Sequence, residues 1–143
     1  MSFSQYKRVL LKLSGDILKG NEKSGIDFNL VGRIAEEIKR VSSSGIEVCI
    51  VVGGGNLFRG SEAEKIGYDR IIADNMGMLS TVINAMAIQN ALENTGIQSR
   101  VMSAIGIQEL VELVVALQLQ LLVRMVVLVE QLQLTQLQLK LVM

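Results

Sequence analysis

The 143-residue chain has no histidine, a single cysteine and no net charge, and each shortage removes a class of function. Without histidine there are no His-assisted nucleophiles, His metal ligands or His acid–base pairs. Cys49 lies inside an apolar run and has no second cysteine to pair with. An internal disulfide is therefore excluded, and a buried thiol of this kind acts as a small hydrophobe rather than a nucleophile. Lys plus Arg and Asp plus Glu balance at 14 each. No bulk field draws the chain to nucleic acid or to an acidic membrane surface, so neither is expected as a partner. The opening stretch MSFSQYKRVL has no charged segment followed by an apolar core and a small-residue cleavage site. No secretory signal is read there, and with the free cysteine this leads to an expected cytoplasmic location. Chemistry is left to Lys, Arg, carboxylates, hydroxyls and the backbone.

What is present divides into two regions, residues 1–106 and 107–143. The first uses a full alphabet with glycines where elements should end. Arg8 to Leu13 (RVLLKL) reads as a buried strand stopped by Ser14 and Gly15. The segment FNLVGRIAEEIKRV places Leu30, Val31, Ile34, Ile38 and Val41 on one helical face, with Asp27 as N-cap and Gly45 near the stop. Ile46 to Val52 is almost wholly apolar, as a strand covered on both faces should be. A longer helix is expected from about Tyr68 to Asn94, its core face carried by Ile72, Met76, Leu79, Val82, Ile83 and Met86. Gly96 ends it, and QSRVMSAI is a third strand. This alternation gives an α/β fold, a parallel sheet covered by helices on both faces.

In such sheets ligands bind beyond the carboxyl ends of the strands, where glycine-rich turns meet helix starts. Two strand ends here carry such turns, KLSGD after the first and GGGNLFRG after the second. Glycines permit positive φ and let backbone N–H groups approach an anion with no Cβ in the way. Lys12 and Arg59 add a mobile and a forked positive charge, a pair suited to phosphate. A flexible turn and a solvated lysine are the plain alternatives, and neither turn is a P-loop or a dinucleotide fingerprint. The joint placement of the turns favours phosphate. Asp74 is either a solvated helix residue or one facing a ribose hydroxyl near the FRG turn.

The segments YKRVLLKLSGD, GIEVCIVVGGGNLFRG, RIIADNMGMLSTVINAMAIQNAL and SRVMSAI, in this order and spacing, resemble the amino-terminal part of the bacterial uridylate kinases, the UMP-specific branch of the amino-acid kinase family. The resemblance runs from Tyr6 to about Ile105. It implies phosphoryl transfer from MgATP to UMP, giving ADP and UDP for pyrimidine nucleotide synthesis, in a cytoplasmic homohexamer regulated by GTP and UTP. By the same resemblance Lys12, Leu13, Ser14 and Gly15 fall on the ATP-phosphate segment, with Lys12 catalytic. Gly55 and Arg59 fall on ATP contacts, and Gly54 and Asp74 on UMP contacts. Gly20, Asn21, Glu22, Lys23, Ser24 and Gly25 match the loop tied to GTP activation. Asp16 stands where many members carry Glu. The Mg²⁺ is expected to come with ATP rather than on protein ligands. Such a reaction needs mainly positioning and charge neutralisation, which glycine turns, Lys and Arg can supply.

Residues 107–143 depart from this pattern. Leu, Val and Gln dominate, and Gly, Pro, Asp, Asn, Ser and every aromatic are absent. A membrane helix over Leu110 to Val129 is long enough but carries Glu112, Gln118, Gln120 and Arg124. A partner-packed helix is a second reading. QLQLTQLQLKL alternates with period two, a strand pattern. The family implies instead a GTGNPFF-like UMP loop, a second Lys, a catalytic Asp and an adenine site. Their absence leads to the expectation of a truncated or frame-altered kinase chain that is poorly active alone. The alternative is a non-catalytic fragment that associates with itself or with kinase subunits through the long helix.

Overall fold

The computed structural model describes residues 6–107, 110, 112–113 and 125–129. β1 (Arg8–Leu13) and β2 (Glu47–Val52) run side by side in parallel, Arg8 opposite Glu47 and Leu13 opposite Val52. Between them in sequence come the single turn α1 (Gly15–Leu18) and α2 (Phe28–Ser43). Asp27 caps α2 as its sequence position predicts, Oδ1 accepting from the Leu30 N–H at 3.0 Å. Gly45 follows the helix with φ 84°, a conformation that suits glycine alone among common residues. After β2 come α3 (Gly60–Lys65) and α4 (Arg70–Asn94), the latter capped by Asp69 through the Ile71 and Ile72 N–H groups. The third expected strand forms as β3 (Arg100–Ser103).

The tail adds β4 (Glu112–Leu113) and β5 (Met125–Val129) to the sheet. The strand order is β1-β2-β5-β3-β4. β5 lies between β2 and β3, parallel to both, with Val127 opposite Ile50 on one side and Val101 on the other. A run of Met, Val and Leu suits a central strand of a parallel sheet. The membrane-helix reading of Leu110 to Val129 is thereby overturned for residues 125–129, which are strand. The QLQLTQLQLKL segment lies outside the described residues.

α1, α2 and α4 pack on one side of the sheet around a core of Leu13, Leu18, Val31, Ile38, Val48, Ile50, Val52, Ile88, Leu92 and Val101. Val48, Ile50 and Val52 point into it, while Cys49 and Val51, on the opposite face of β2, are only half-buried. The described helices thus form one of the two layers expected for this α/β fold. Among the described residues β1 is an edge strand with Arg8, Leu10 and Lys12 exposed, so the expectation of a buried strand there holds for one face only.

The core face of α4 is not the expected one. Ile72 and Ile83 are each 52 % exposed, and Met76 and Leu79 are exposed as well. The buried side carries Ala73, Ser80, Thr81, Val82, Asn84, Ala85, Ile88 and Leu92. Of the residues expected in the core, Val82 is buried and Met86 partly so. The helix is long and apolar enough by composition to cross a membrane, yet this polar buried side is packed against the sheet and the turn described next.

Candidate functional site

In the parallel sheet, the carboxyl ends of β1 and β2 lie together at Leu13 and Val52. The two turns that leave them are in direct contact. A Cβ built on Gly15 would lie 2.6 Å from the Gly53 carbonyl oxygen and 2.8 Å from the Gly55 nitrogen, so no larger residue fits without displacing backbone. Gly54 meets α4 in the same way, its Cβ position 2.8 Å from the Ser80 Cβ and 2.9 Å from the Gly77 carbonyl oxygen. Gly53, Gly54 and Gly55 are not among the positive-φ glycines. Close approach, rather than the left-handed backbone allowed for in the sequence reading, explains the small residues at 15 and 54.

The Gly53 N–H donates to the Leu13 carbonyl at 3.1 Å, and the Gly54 carbonyl accepts from Leu57 and Phe58. No backbone carbonyl among the described residues accepts from the N–H of Gly54 or Gly55. Donors of this kind are left to side chains, water or an anion. Ser14 precedes α1 with extended backbone and makes no side-chain cap. Lys12 is exposed one residue before the end of β1, paired in register with Val51.

Arg59 leans back over this turn. Its Nε donates to the Gly55 carbonyl at 3.2 Å and its Nη2 to both Asp16 carboxylate oxygens at 2.6 and 2.5 Å. Lys19 adds a bond to Asp16 Oδ1 at 3.0 Å. The hydrogen bond from Lys19, then that from Arg59, holds the Asp16 carboxyl below its ordinary range. Asp16 in turn raises the Arg59 guanidinium. Asp16 therefore joins the two turns electrostatically, a role the sequence does not disclose. Cys49, on the half-buried face of β2, has its thiol pushed up to about 11 by burial. It is a poor nucleophile at neutral pH.

Two asparagines complete the arrangement. Asn56 and Asn84 are 2 % and 0 % exposed and face each other amide to amide. Asn84 Nδ2 donates to Asn56 Oδ1 at 2.6 Å, and Asn56 Nδ2 to Asn84 Oδ1 at 3.1 Å. Asn84 Nδ2 also reaches the Gly53 carbonyl at 2.7 Å, and Asn56 Nδ2 the Gly25 carbonyl at 2.8 Å. Sequence reasoning missed both. The available signal was an amide between Ile83 and Ala85 within an otherwise apolar stretch of helix.

The remaining residues singled out from sequence lie around this centre. Asp74 is exposed on α4, 3.5 Å from the Arg70 Nε, with its Oδ1 3.6 Å from a Cβ position on Gly60. It thus faces the end of the FRG turn. In the loop Gly20 to Gly25, the side chains of Asn21, Glu22, Lys23 and Ser24 are exposed. Gly20 and Gly25 take φ of 59° and 98°. Only Gly25 meets the glycine turn, its N–H donating to the Asn56 carbonyl at 3.0 Å.

The family model described as the amino acid kinase family matches residues 7–137. Uridylate kinase of Paramagnetospirillum magneticum is 54 % identical over 104 residues, 73 % of this chain and 43 % of that protein. Uridylate kinase of Methylococcus capsulatus is 52 % identical over 107 residues, 75 % of this chain and 45 % of that protein. The chain thus spans less than half the length of these curated relatives. Among solved structures, UMP kinase from Ureaplasma parvum superposes with a TM-score of 0.78 at 38 % identity, over 88 % of this chain and 54 % of that one. UMP kinase from Bacillus anthracis gives a TM-score of 0.76 at 38 % identity, over 87 % of this chain and 52 % of that one.

Proposed function

Because the chain belongs to the amino acid kinase family, we propose that it is a UMP kinase-like chain whose paired turns hold nucleotide phosphates for transfer from MgATP to UMP. The observation that carries this reading is the pair of Gly54 and Gly55 N–H groups without a backbone acceptor among the described residues, beside Arg59 and next to the Lys12 strand end. In the proposed reaction a UMP phosphate oxygen attacks the γ-phosphorus of ATP, the bond to the β,γ-bridging oxygen breaks, and UDP and ADP leave. Lys12, Ser14, Gly15, Gly55 and Arg59 are assigned to ATP, with Leu13 as backbone of the same segment. Gly54 and Asp74 are assigned to UMP. Positive charge and aimed N–H groups lower the barrier by neutralising charge on the transferring group.

The Mg²⁺ belongs to the MgATP substrate. No group of three His, Cys, Asp or Glu among the described residues is placed to hold a metal, and the Asp16 carboxylate is engaged by Arg59 and Lys19. To bind phosphate with its full fork, Arg59 must leave Asp16. GTP and UTP are the proposed effectors, with GTP acting through the loop Gly20 to Gly25, and the location is proposed to be cytoplasmic.

Residues 107–143 are proposed to come from an altered frame that replaced the rest of the site, leaving a chain poorly active alone. Sequencing the coding DNA tests the origin: a one-base shift near the Ile105 codon should recover a GTGNPFF-like run. An assay coupling ADP release to UMP addition tests the chemistry. Turnover near the ~1–100 s⁻¹ of kinases would overturn the claim of poor activity.

The exposed stripe of Ile72, Met76, Leu79 and Ile83 on α4 favours a second reading, a chain that assembles with itself or with kinase subunits. Contiguous apolar surface of this kind marks association sites. A hexamer is the form proposed by family likeness. Size-exclusion chromatography of the chain with and without full-length kinase tests it.

A further inference from the structure

We infer that Asn56 and Asn84 are positioning residues that lock the glycine turn and the loop Gly20 to Gly25 into one unit on α4. Each asparagine is fully buried and each touches a different partner segment. Asn84 holds the turn from the helix side through the Gly53 carbonyl. Asn56 holds the loop through the Gly25 carbonyl, while its own carbonyl accepts the Gly25 N–H. The loop is therefore clamped by two bonds to a single residue of the turn, one to its backbone carbonyl and one from its side-chain amide. That residue is in turn held by Asn84 through the two amide–amide bonds.

The orientation of both amides is set by their surroundings. Turning Asn56 over would place its oxygen against the Gly25 carbonyl and its NH₂ against the NH₂ of Asn84. Turning Asn84 over would oppose its oxygen to the Gly53 carbonyl. Only the observed arrangement satisfies all four contacts, so the pair has one state. A buried amide left without its partner is costly, which makes an alternative packing of this junction unfavourable. The turn also lies close on α4, where a Cβ at Gly54 would be 2.8 Å from the Ser80 Cβ and 2.9 Å from the Gly77 carbonyl oxygen.

The consequence is a mechanical link. Any ligand that moves Gly53 to Gly55 moves Asn56, and with it the clamp on Gly25. Displacement of the loop works back by the same bonds. The functional meaning of the link rests on the reading of the turn as a nucleotide-phosphate site, whereas the positioning role itself can be tested without nucleotide.

Amide hydrogen exchange on the full chain makes that test, with the Gly25 amide compared with that of Cys49 in β2. Asn84→Ala touches no residue of the loop, yet it should raise Gly25 exchange about tenfold relative to Cys49. Ile88→Ala, one helical turn further along the buried side, should raise both amides in proportion. An unchanged Gly25-to-Cys49 ratio in Asn84→Ala would overturn the inference. Should Asn84→Ala fail to fold, Asn84→Ser replaces the amide by a shorter, uncharged hydroxyl and is judged by the same ratio. A parallel arm adds MgATP to the unmutated chain: no change at Gly53 to Leu57 would remove the nucleotide reading, while the ligand-free ratio still decides the positioning role.

Discussion

α2 and α4 lie side by side over the same sheet, but α2 turns only apolar residues toward it while α4 buries polar ones among its apolar ones. α2 buries Val31, Ala35 and Ile38, large and small apolar groups that meet β2 side chains. α4 buries Ala73, Ser80, Thr81, Val82, Asn84 and Ala85 before reaching Ile88 and Leu92, and leaves Ile72, Met76, Leu79 and Ile83 outside. The reason is what each helix packs on. α2 covers side chains, which reward large apolar partners. The first half of α4 covers the backbone of a glycine turn, where only small groups fit and where carbonyls need donors. A helix that serves a site from behind thus hides its polar side, and its apolar side is free for another surface.

The largest effect that sharpens this contrast is expected in the last third of α4. Ile88 is 1 % exposed, and Ile88→Ala should destabilise by about 2–5 kcal/mol in urea unfolding. Ile83→Ala, on the opposite side, should stay within about 0.5 kcal/mol for the isolated chain. Equal losses at the two positions would break the assignment of faces.

Gly54→Ala comes next. Its methyl would fall 2.8 Å from the Ser80 Cβ and 3.0 Å from the Thr81 nitrogen, an overpacking that should cost about 1–3 kcal/mol. Removal of the α2 cap by Asp27→Ala should cost about 1 kcal/mol through the lost bond to the Leu30 N–H. Both are read from denaturation midpoints at constant m-value.

The smallest stability effect is expected at Asp16, which is exposed enough for water to screen its ion pairs. Its carboxyl titrates below the ordinary 3.8 because Lys19 and Arg59 favour the charged form. The contribution is thus complete above pH 3.8 and fades as pH falls through the lowered folded value. NMR of the Arg59 Nη–H groups, which donate to Asp16, should show no change between pH 7 and pH 5 and release only below 3.8. Release in the neutral range would contradict the pairing.

The parts legible in the sequence were those set by local chemistry. β1, β2, α2 and its Asp27 cap follow from apolar runs, helical spacing and capping residues, and the two glycine turns are placed by the strand ends that precede them. What was not legible depended on partners distant in sequence. Periodicity gives a stripe on α4 but not what faces it, and Met76 and Leu79 fit a core as well as a surface. The Asn56–Asn84 pair and the Arg59–Asp16 pair join residues 28 and 43 positions apart, which no local pattern encodes. Only the topology, with β5 between β2 and β3, shows that part of the Leu/Val/Gln tail enters the sheet.

On the proposed function, the paired turns bind nucleotide phosphate. Calorimetric titration of the full chain with MgATP and with UMP, repeated on Lys12→Ala and Arg59→Ala, tests it most directly. Saturable binding of MgATP that weakens at least about tenfold in both variants, as loss of a charge-assisted contact should produce, is the result predicted. Absence of saturable binding, or binding unchanged in both variants, would contradict it.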